Sequence, residues 1–374
     1  MEGPRPVKPE EIDSLFDLVN TVFSGHKGGM RDGFPLLFDS RNWQNLFVMT
    51  DGARVVSHLG MRLDEAVVLG CRLKIASVGA VATYEEYRGK GLATRCLEAA
   101  EAKAISEGAS VTLISGSRGL YRRLGAVKVG RSFVYGFARG ECAGGIRIQE
   151  AAAGDVFTLG RLYEHEPVRF HRPLEDWHAV FGPIMAKRPA PFRDRVYLFG
   201  NENSPTGYTV ARYGSWGEKP FCFVMEYAGD RGHLVGALPA IAESIGSEPL
   251  DLAVPDYDQA LRRAAAATGI EPRADYLLHH TAKVSSLPSF IRSMKPLIEQ
   301  RLGRTGAGGL AFQPSAGGYD IIVGEEHTTF SVPAFTVLVF GSPERDAVGD
   351  AQLGEGLLGR LFPIPLPLPG LNYV

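Results

Sequence analysis

Arg88, Gly89, Lys90 and Gly91 stand directly ahead of a run of helix-forming residues that begins at Leu92. A helix N-terminus offers unpaired N–H groups and a partial positive charge. Glycines let the backbone close on an anion, and Arg and Lys add formal charge. The run Arg88, Gly89, Lys90, Gly91, Leu92, Ala93 and Thr94 therefore has the chemistry of a pyrophosphate cradle. It is neither a G-x-x-x-x-G-K-[ST] loop nor a G-x-G-x-x-G fingerprint. Taken alone, these residues also read as a basic surface turn capping an amphipathic helix.

Such a cradle needs a strand before it and a helix and strand behind it. The stretch 78–83 (Val-Gly-Ala-Val-Ala-Thr) is small and apolar, as a strand must be if an extended ligand is to lie beside it. Leu92, Cys96, Leu97, Ala100 and Ala104 share one helix face, and Gly108 suits the C′ position. Residues 111–115 read as a short strand, 119–124 as a helical turn carrying Tyr121, and 127–137 as a closing strand. Upstream, 10–23 has helical periodicity, 46–50 and 54–59 form a hairpin around Asp51-Gly52, and 66–69 and 72–82 are the next strands. The result is a mixed α/β unit of ordinary domain length.

After residues 142–145 (Cys-Ala-Gly-Gly) the order restarts with strand, helix, hairpin, strand, helix, strand and helix, which predicts an internal structural repeat. Where the first copy has its basic loop, the second has Gly229-Asp-Arg-Gly232. An acidic residue there opposes a phosphate, so the second copy is expected to lack the cofactor. Trp177, Phe170 and Phe181 read as its core rather than as a substrate cage. From about residue 276 a third section reads as a strand, a helix (287–302), three strands (309–313, 319–323 and 328–332) and a helical segment near 351–358. It ends in a proline-rich apolar tail.

The 374 residues fit two or three domains, with 45% hydrophobic and 22% charged residues. A net charge of -2 gives no electrostatic case for nucleic acid or an anionic membrane. No signal peptide or spanning segment is read, and the four cysteines form no CxxC pair, so a reduced, cytoplasmic protein without a metal is expected. His279 and His280 are adjacent and would face opposite sides of a strand, which argues against a metal pair.

Residues 81–93 (Val-Ala-Thr-Tyr-Glu-Glu-Tyr-Arg-Gly-Lys-Gly-Leu-Ala) resemble the Q/R-x-x-G-x-G/A motif of the GCN5-related N-acetyltransferase (GNAT) superfamily. The resemblance implies that the loop amides hold the pyrophosphate of acetyl-CoA, and that Val81, Ala82 and Thr83 line its pantetheine arm. Residues 116–125, beginning Gly116-Ser117, are similar to the later segment whose tyrosine faces the departing thiolate, which assigns Tyr121. The layout along the whole chain resembles the enhanced intracellular survival (Eis) family. That implies an α/β (α+β) chain of tandem GNAT-fold domains, 1–142 active and 143–275 degenerate, followed by a sterol-carrier-protein-like domain, 276–374. In that family a tyrosine is the general acid and the terminal carboxylate the general base, positions that Tyr121 and Val374 occupy here.

The expected activity is thus transfer of an acetyl group from acetyl-CoA to a primary amine, on a small molecule or peptide, by direct attack. A homo-oligomer is the expected assembly. Transfer of another acyl group, or acyl-CoA binding without turnover, are the competing readings. A backbone N–H near Val81 or Ala82 is the candidate oxyanion donor, and a phenol keeps its proton at neutral pH. Tyr121 reads either as that acid or as an anchor of its turn. The tail, with Leu366, Leu368, Leu371, Tyr373 and Val374 among four prolines, either packs on the third domain or docks a carboxylate. His26, Lys27 and Arg31 lie in a Gly-rich loop that either borders the substrate or is simply exposed.

Overall fold

The computed structural model describes residues 1–23, 29–116, 119–187, 193–201, 204–216, 219–273, 280–342 and 356–373. His26, Lys27, Ser117, His279, residues 351–355 of the last helical segment, and Val374 lie outside the described residues.

In chain order the first elements are β1 (Glu2–Pro6), α1 (Ile12–Val22), α2 (Met30–Gly33), β2 (Leu46–Asp51), β3 (Arg54–Val68) and β4 (Cys71–Thr83). Then come α3 (Leu92–Ser106), β5 (Val111–Ile114), α4 (Gly119–Arg123), β6 (Val127–Val129) and β7 (Ser132–Phe137). The middle of the chain gives β8 (Arg147–Glu150), α5 (Val156–Tyr163), β9 (Val168–Phe170), α6 (Leu174–Met185), β10 (Arg193–Asn201) and β11 (Ser204–Trp216). It continues with β12 (Lys219–Gly229), α7 (Arg231–Ile245), β13 (Leu250–Pro255) and α8 (Gln259–Ala266). The last third gives β14 (His280–Val284), α9 (Leu287–Gly308), β15 (Leu310–Ser315), β16 (Gly318–Val323), β17 (Glu326–Phe330), α10 (Val332–Phe340) and α11 (Leu357–Leu361). No described helix is long and apolar enough to cross a membrane.

Contacts group the chain into two compact units. The first comprises Met1–Gly130, His280–Pro367 and Tyr373–Val374, and the second Arg131–His279 and Leu368–Asn372. The sequence suggests a single closing strand over 127–137 and a division near residue 142. Instead the chain turns at Gly130 (φ +78°), and β7 pairs antiparallel with β13, Leu250 opposite Phe137 through Pro255 opposite Ser132. Strand β14 runs antiparallel to both β5 and β6 in the first unit's sheet. That sheet runs β1-β2-β3-β4-β5-β14-β6, and the second unit's runs β8-β10-β11-β12-β13-β7. The first six positions of the two orders match, with β14 standing where β7 does and β6 extending the first sheet, so a repeated strand plan is present despite little residue identity.

Alternation along the first unit's strands produces two cores. Phe47, Met49, Val56, Val78 and Val81 pack with Leu92, Cys96, Leu97, Ala100 and Ala104 of α3. Val48, Val55, Ala80 and Ala82 pack with Ile12, Leu15, Leu18 and Val19 of α1. In the second unit Leu234, Leu238 and Ile241 of α7 and Leu261 of α8 join Tyr197, Val224 and Leu252. There Trp177, 5% exposed, stacks on Phe181 with ring centroids 5.1 Å apart. In the last third, α10 is a helix that sequence periodicity does not reveal, because it is apolar all round. Its Phe335 packs edge-on against Tyr319, ring centroids 5.0 Å apart.

His58, on β3, gives the fold a pH signature. It is completely buried, and its Nδ1 lies 3.1 Å from the Phe47 carbonyl. A carbonyl only accepts, so Nδ1 carries the proton. Nε2 has no hydrogen-bond partner among the described residues. Burial pushes the imidazole from its ordinary 6.5 down to about 3. The unfolded chain therefore takes up a proton that the folded chain refuses. Stability is expected to be full above about pH 6.5 and to fall toward pH 3, by at most about 1.4 kcal/mol per pH unit from this group. Urea unfolding of a His58→Gln chain between pH 4 and 7 should show a shallower pH slope. Equal slopes would assign the titration to other groups.

Candidate active site

Strand β4 changes partners part-way along. On one side it pairs in parallel with β5, from Ile75 opposite Val111 to Val78 opposite Ile114. Ser115 N then donates to the Val78 carbonyl at 2.9 Å, and beyond it β4 runs on to Thr83 without β5. On the other side, with β3, the register slips. Ala82 faces His58 and Gly79 faces Gly60, which leaves Ala80 and Val81 opposite the single residue Leu59. Ala80 adopts φ +50°, unusual for a residue with a Cβ. This is a β-bulge, a device that re-aims backbone groups beside sites. It lies where β4 and β5 part, so backbone groups of Ala80 to Thr83 lose their β5 partners.

The loop after β4 is tightly wound. Glu85–Tyr87 form a 3₁₀ turn, and Arg88 N donates to the Glu85 carbonyl at 3.1 Å. Arg88 Nε reaches back to the Thr83 carbonyl at 3.3 Å, and the Lys90 ammonium sits 4.7 Å from the Tyr87 ring centroid. Gly89 and Gly91 have φ of +76° and +73°, and a Cβ built on either would meet nothing within 4 Å. Gly91 is the N-cap of α3, with no side chain capping that end and no acidic residue in the first turn. The amides of Leu92, Ala93 and Thr94 thus open a helix N-terminus onto free space beside two cations. Unpaired helix-start amides beside cationic side chains are the features that favour an anion.

Tyr121, on α4, is 3% exposed and shares a core cluster with Val81, Leu92 and Ile114. Its ring approaches Gly116, whose φ of +132° favours glycine and whose Cβ would sit 3.6 Å from Tyr121 Cε2. Tyr121 also holds the turn through its carbonyl, which accepts from Leu124 N and Ala126 N at 3.1 Å. The structure therefore places Val81, Leu92 and Tyr121 in one cluster, with Ala82 and Thr83 at the end of β4 and Arg88 to Thr94 in the loop and helix start. Ala80, which completes the bulge, carried no sequence signal. Arg31 stacks on Phe16, its guanidinium carbon 5.4 Å from the ring centroid. Tyr373 lies 6.1 Å from the Phe34 ring centroid.

The corresponding helix start in the second unit is closed. Asp230 caps α7, its Oδ1 accepting from His233 N at 2.8 Å. Arg231 is tied to Glu166 at 2.8 and 2.5 Å and to Asp258 at 2.9 Å. A carboxylate holds the place an anion would take, and the nearby cation is neutralised.

The family model described as acetyltransferase (GNAT) domain matches residues 4–128. No curated protein matches the chain in sequence. Among solved structures, a probable N-acyltransferase of Enterococcus faecalis V583 is 14% identical with a TM-score of 0.64, covering 97% of this chain and 98% of its own. A GCN5-related N-acetyltransferase of Anabaena variabilis is 15% identical with a TM-score of 0.60, covering 90% and 89%. The family match is thus to a GNAT domain over the first third of the chain, and the solved structures share the fold. The chain's fold along nearly the whole length is Eis-like. Eis1 of Mycobacterium abscessus is 15% identical with a TM-score of 0.61, covering 97% of this chain and 98% of its own.

Proposed function

We propose that the chain is an acetyl-CoA-dependent N-acetyltransferase that acylates a primary amine by direct attack. We further assign Tyr121 as general acid and the carboxylate of Val374 as general base. One observation carries the reading: the bulge at Ala80 and Val81, placed where β4 leaves β5 and just ahead of the open N-terminus of α3. When bound, acetyl-CoA supplies an activated thioester. Arg88, Lys90 and the amides of Gly91 to Thr94 grip its pyrophosphate. The backbone of Val81 to Thr83 aligns the pantetheine arm, which turns a bimolecular encounter into a positioned one. A backbone N–H at the bulge donates to the oxyanion. The Tyr121 hydroxyl gives its proton to the leaving sulfur, and the terminal carboxylate accepts the proton of the amine. No metal takes part. The closed start of α7 supports a second copy without cofactor. We assign residues 276–374 to a sterol-carrier-protein-like domain, and the whole to a cytoplasmic homo-oligomer whose acceptor is a small molecule or peptide amine.

The test is a thermal-shift and thiol-release experiment with acetyl-CoA and a panel of amines. Binding to the native state should raise apparent stability by about 2.7 kcal/mol at a hundredfold excess over the dissociation constant. Gly91→Glu should abolish both shift and release, because it puts a Cβ at φ +73° and a negative charge where phosphate belongs. An unchanged shift in the folded variant would move the cradle elsewhere. A shift without thiol release for any amine would make the chain a binder.

A further inference from the structure

Strand β12 holds in the second unit's sheet the place that β4 holds in the first, and it carries a matching bulge. Val210 faces Glu226 and Ala211 faces Val224, so Met225 is the extra residue and Glu226 lies beside it. In the first unit the corresponding stretch, Ala80 to Ala82, carries only small apolar side chains. In the second it carries a carboxylate. Glu226 is buried, and Oε1 accepts from Tyr208 Oη at 2.7 Å and Arg172 Nη1 at 3.1 Å. Oε2 accepts from Arg172 Nη2 at 2.8 Å and from the backbone N–H of Leu371 at 3.0 Å. The Arg172 side chain is fully buried, its guanidinium carbon 4.8 and 4.6 Å from the ring centroids of Tyr163 and Trp177. Its Nη2 and Nε also donate to Asn372 Oδ1, at 2.6 and 3.2 Å. Gly370 adopts φ +52°, and a Cβ there would lie 2.5 Å from Glu226 Oε2.

Two buried charges are thus completed by a segment nearly 150 residues away from one and 200 from the other. Burial alone would raise the Glu226 carboxyl, but the Arg172 charge and the converging donors outweigh it and hold it below the ordinary carboxylate range. An ion pair removed from water adds little net stability compared with well-packed apolar residues, and its best-attested return is fixed geometry. Asn372 matches this use, since its amide oxygen accepts from two nitrogens of Arg172 and its backbone N–H is tied to the Pro369 carbonyl at 2.8 Å.

We propose that the degenerate copy's cleft is a receptor for the chain's own segment 370–372, with Arg172 and Glu226 as positioning residues that fix where the last residues leave it. The proposal rests on the assignment of the terminal carboxylate as general base, and gives the inactive copy its role: it orders one short segment rather than a cofactor.

The experiment uses full-length protein, with hydrogen exchange by mass spectrometry over residues 364–373 and steady-state kinetics side by side. Gly370→Val should collide with Glu226 and release the tail. Asn372→Ala should loosen it while leaving the Arg172–Glu226 pair intact, which guards against a variant that fails to fold. Both should speed exchange in the tail. Both should lower kcat, by as much as 10²-fold on the order expected for a misplaced group, with KM for acetyl-CoA unchanged. A tail that stays protected in both variants would overturn the proposal, and so would a released tail with unaltered kcat. A chain extended beyond residue 374 separates the two assignments. Lost turnover with a protected tail supports both. Full turnover with a protected tail removes the carboxylate as base, and leaves the receptor to be decided by the exchange data.

Discussion

A Tyr121→Phe chain should bind acetyl-CoA as the unaltered chain does and turn over on the order of 10²-fold more slowly, a typical contribution of a general acid. The substitution keeps the ring, and the ring is what the fold uses. Tyr121 is 3% exposed and packs with Val81, Leu92 and Ile114, contacts that a phenylalanine preserves. The turn around it is held by the Tyr121 carbonyl, which the substitution does not touch. Only the hydroxyl is lost. Unfolding should stay cooperative, with a change within about 1.5 kcal/mol, the net worth of one hydrogen bond. The thiolate would then have to find its proton in solvent, which slows the step that expels it. The pH profile adds a check, because a limb due to the phenol should vanish with it. Full turnover at saturating acetyl-CoA would reduce Tyr121 to packing.

The part of the site that was legible in the sequence is the part whose chemistry is local. A basic loop with two glycines ahead of a helix declares itself, because φ values of +76° and +73° and an uncapped helix start call for those residues at those places. The bulge does not declare itself. Ala80 takes a positive φ with no glycine to mark it, inside a stretch of small apolar residues that reads as plain strand. Partner choice is also silent. Residues 127–137 look like one strand, yet β6 and β7 lie in different sheets, since pairing is decided by residues far away in sequence. Helix α10 hid because uniform apolarity has no 3.6-residue period. Helix α6 carries Gly182 and Pro183 near its end, residues that argue against a helix from sequence. The Arg172–Glu226 pair spans 54 residues and the Arg172–Asn372 contact 200, beyond any local pattern.

Extending the chain beyond Val374 with a C-terminal tag should abolish turnover while acetyl-CoA still binds and the protein still unfolds cooperatively. The amine must lose a proton, and two of the carboxylates beside the loop, Glu86 and Asp51, are otherwise engaged. Glu86 is paired with Arg54 at 3.1 Å, and Asp51 accepts from the Tyr87 hydroxyl at 2.8 Å. Glu85 and Glu86 are both exposed, where a carboxylate is a weak and solvated base. The tail is held through Leu371 and Asn372, three and two residues before the terminal carboxylate proposed as the base. On this reading the charge matters and the last side chain does not. Val374→Ala should therefore keep much of the activity, and a tag at the N-terminus should be harmless. A tag moves the carboxylate away and puts a neutral peptide bond in its place, so the loss should fall on kcat and leave the thermal shift with acetyl-CoA intact. Raising the pH should recover part of the rate in the tagged chain, because more of the amine is then already deprotonated. Normal turnover by the tagged protein at neutral pH would rule the carboxylate out, and the base would have to be sought in a water chain or among the second unit's acidic residues.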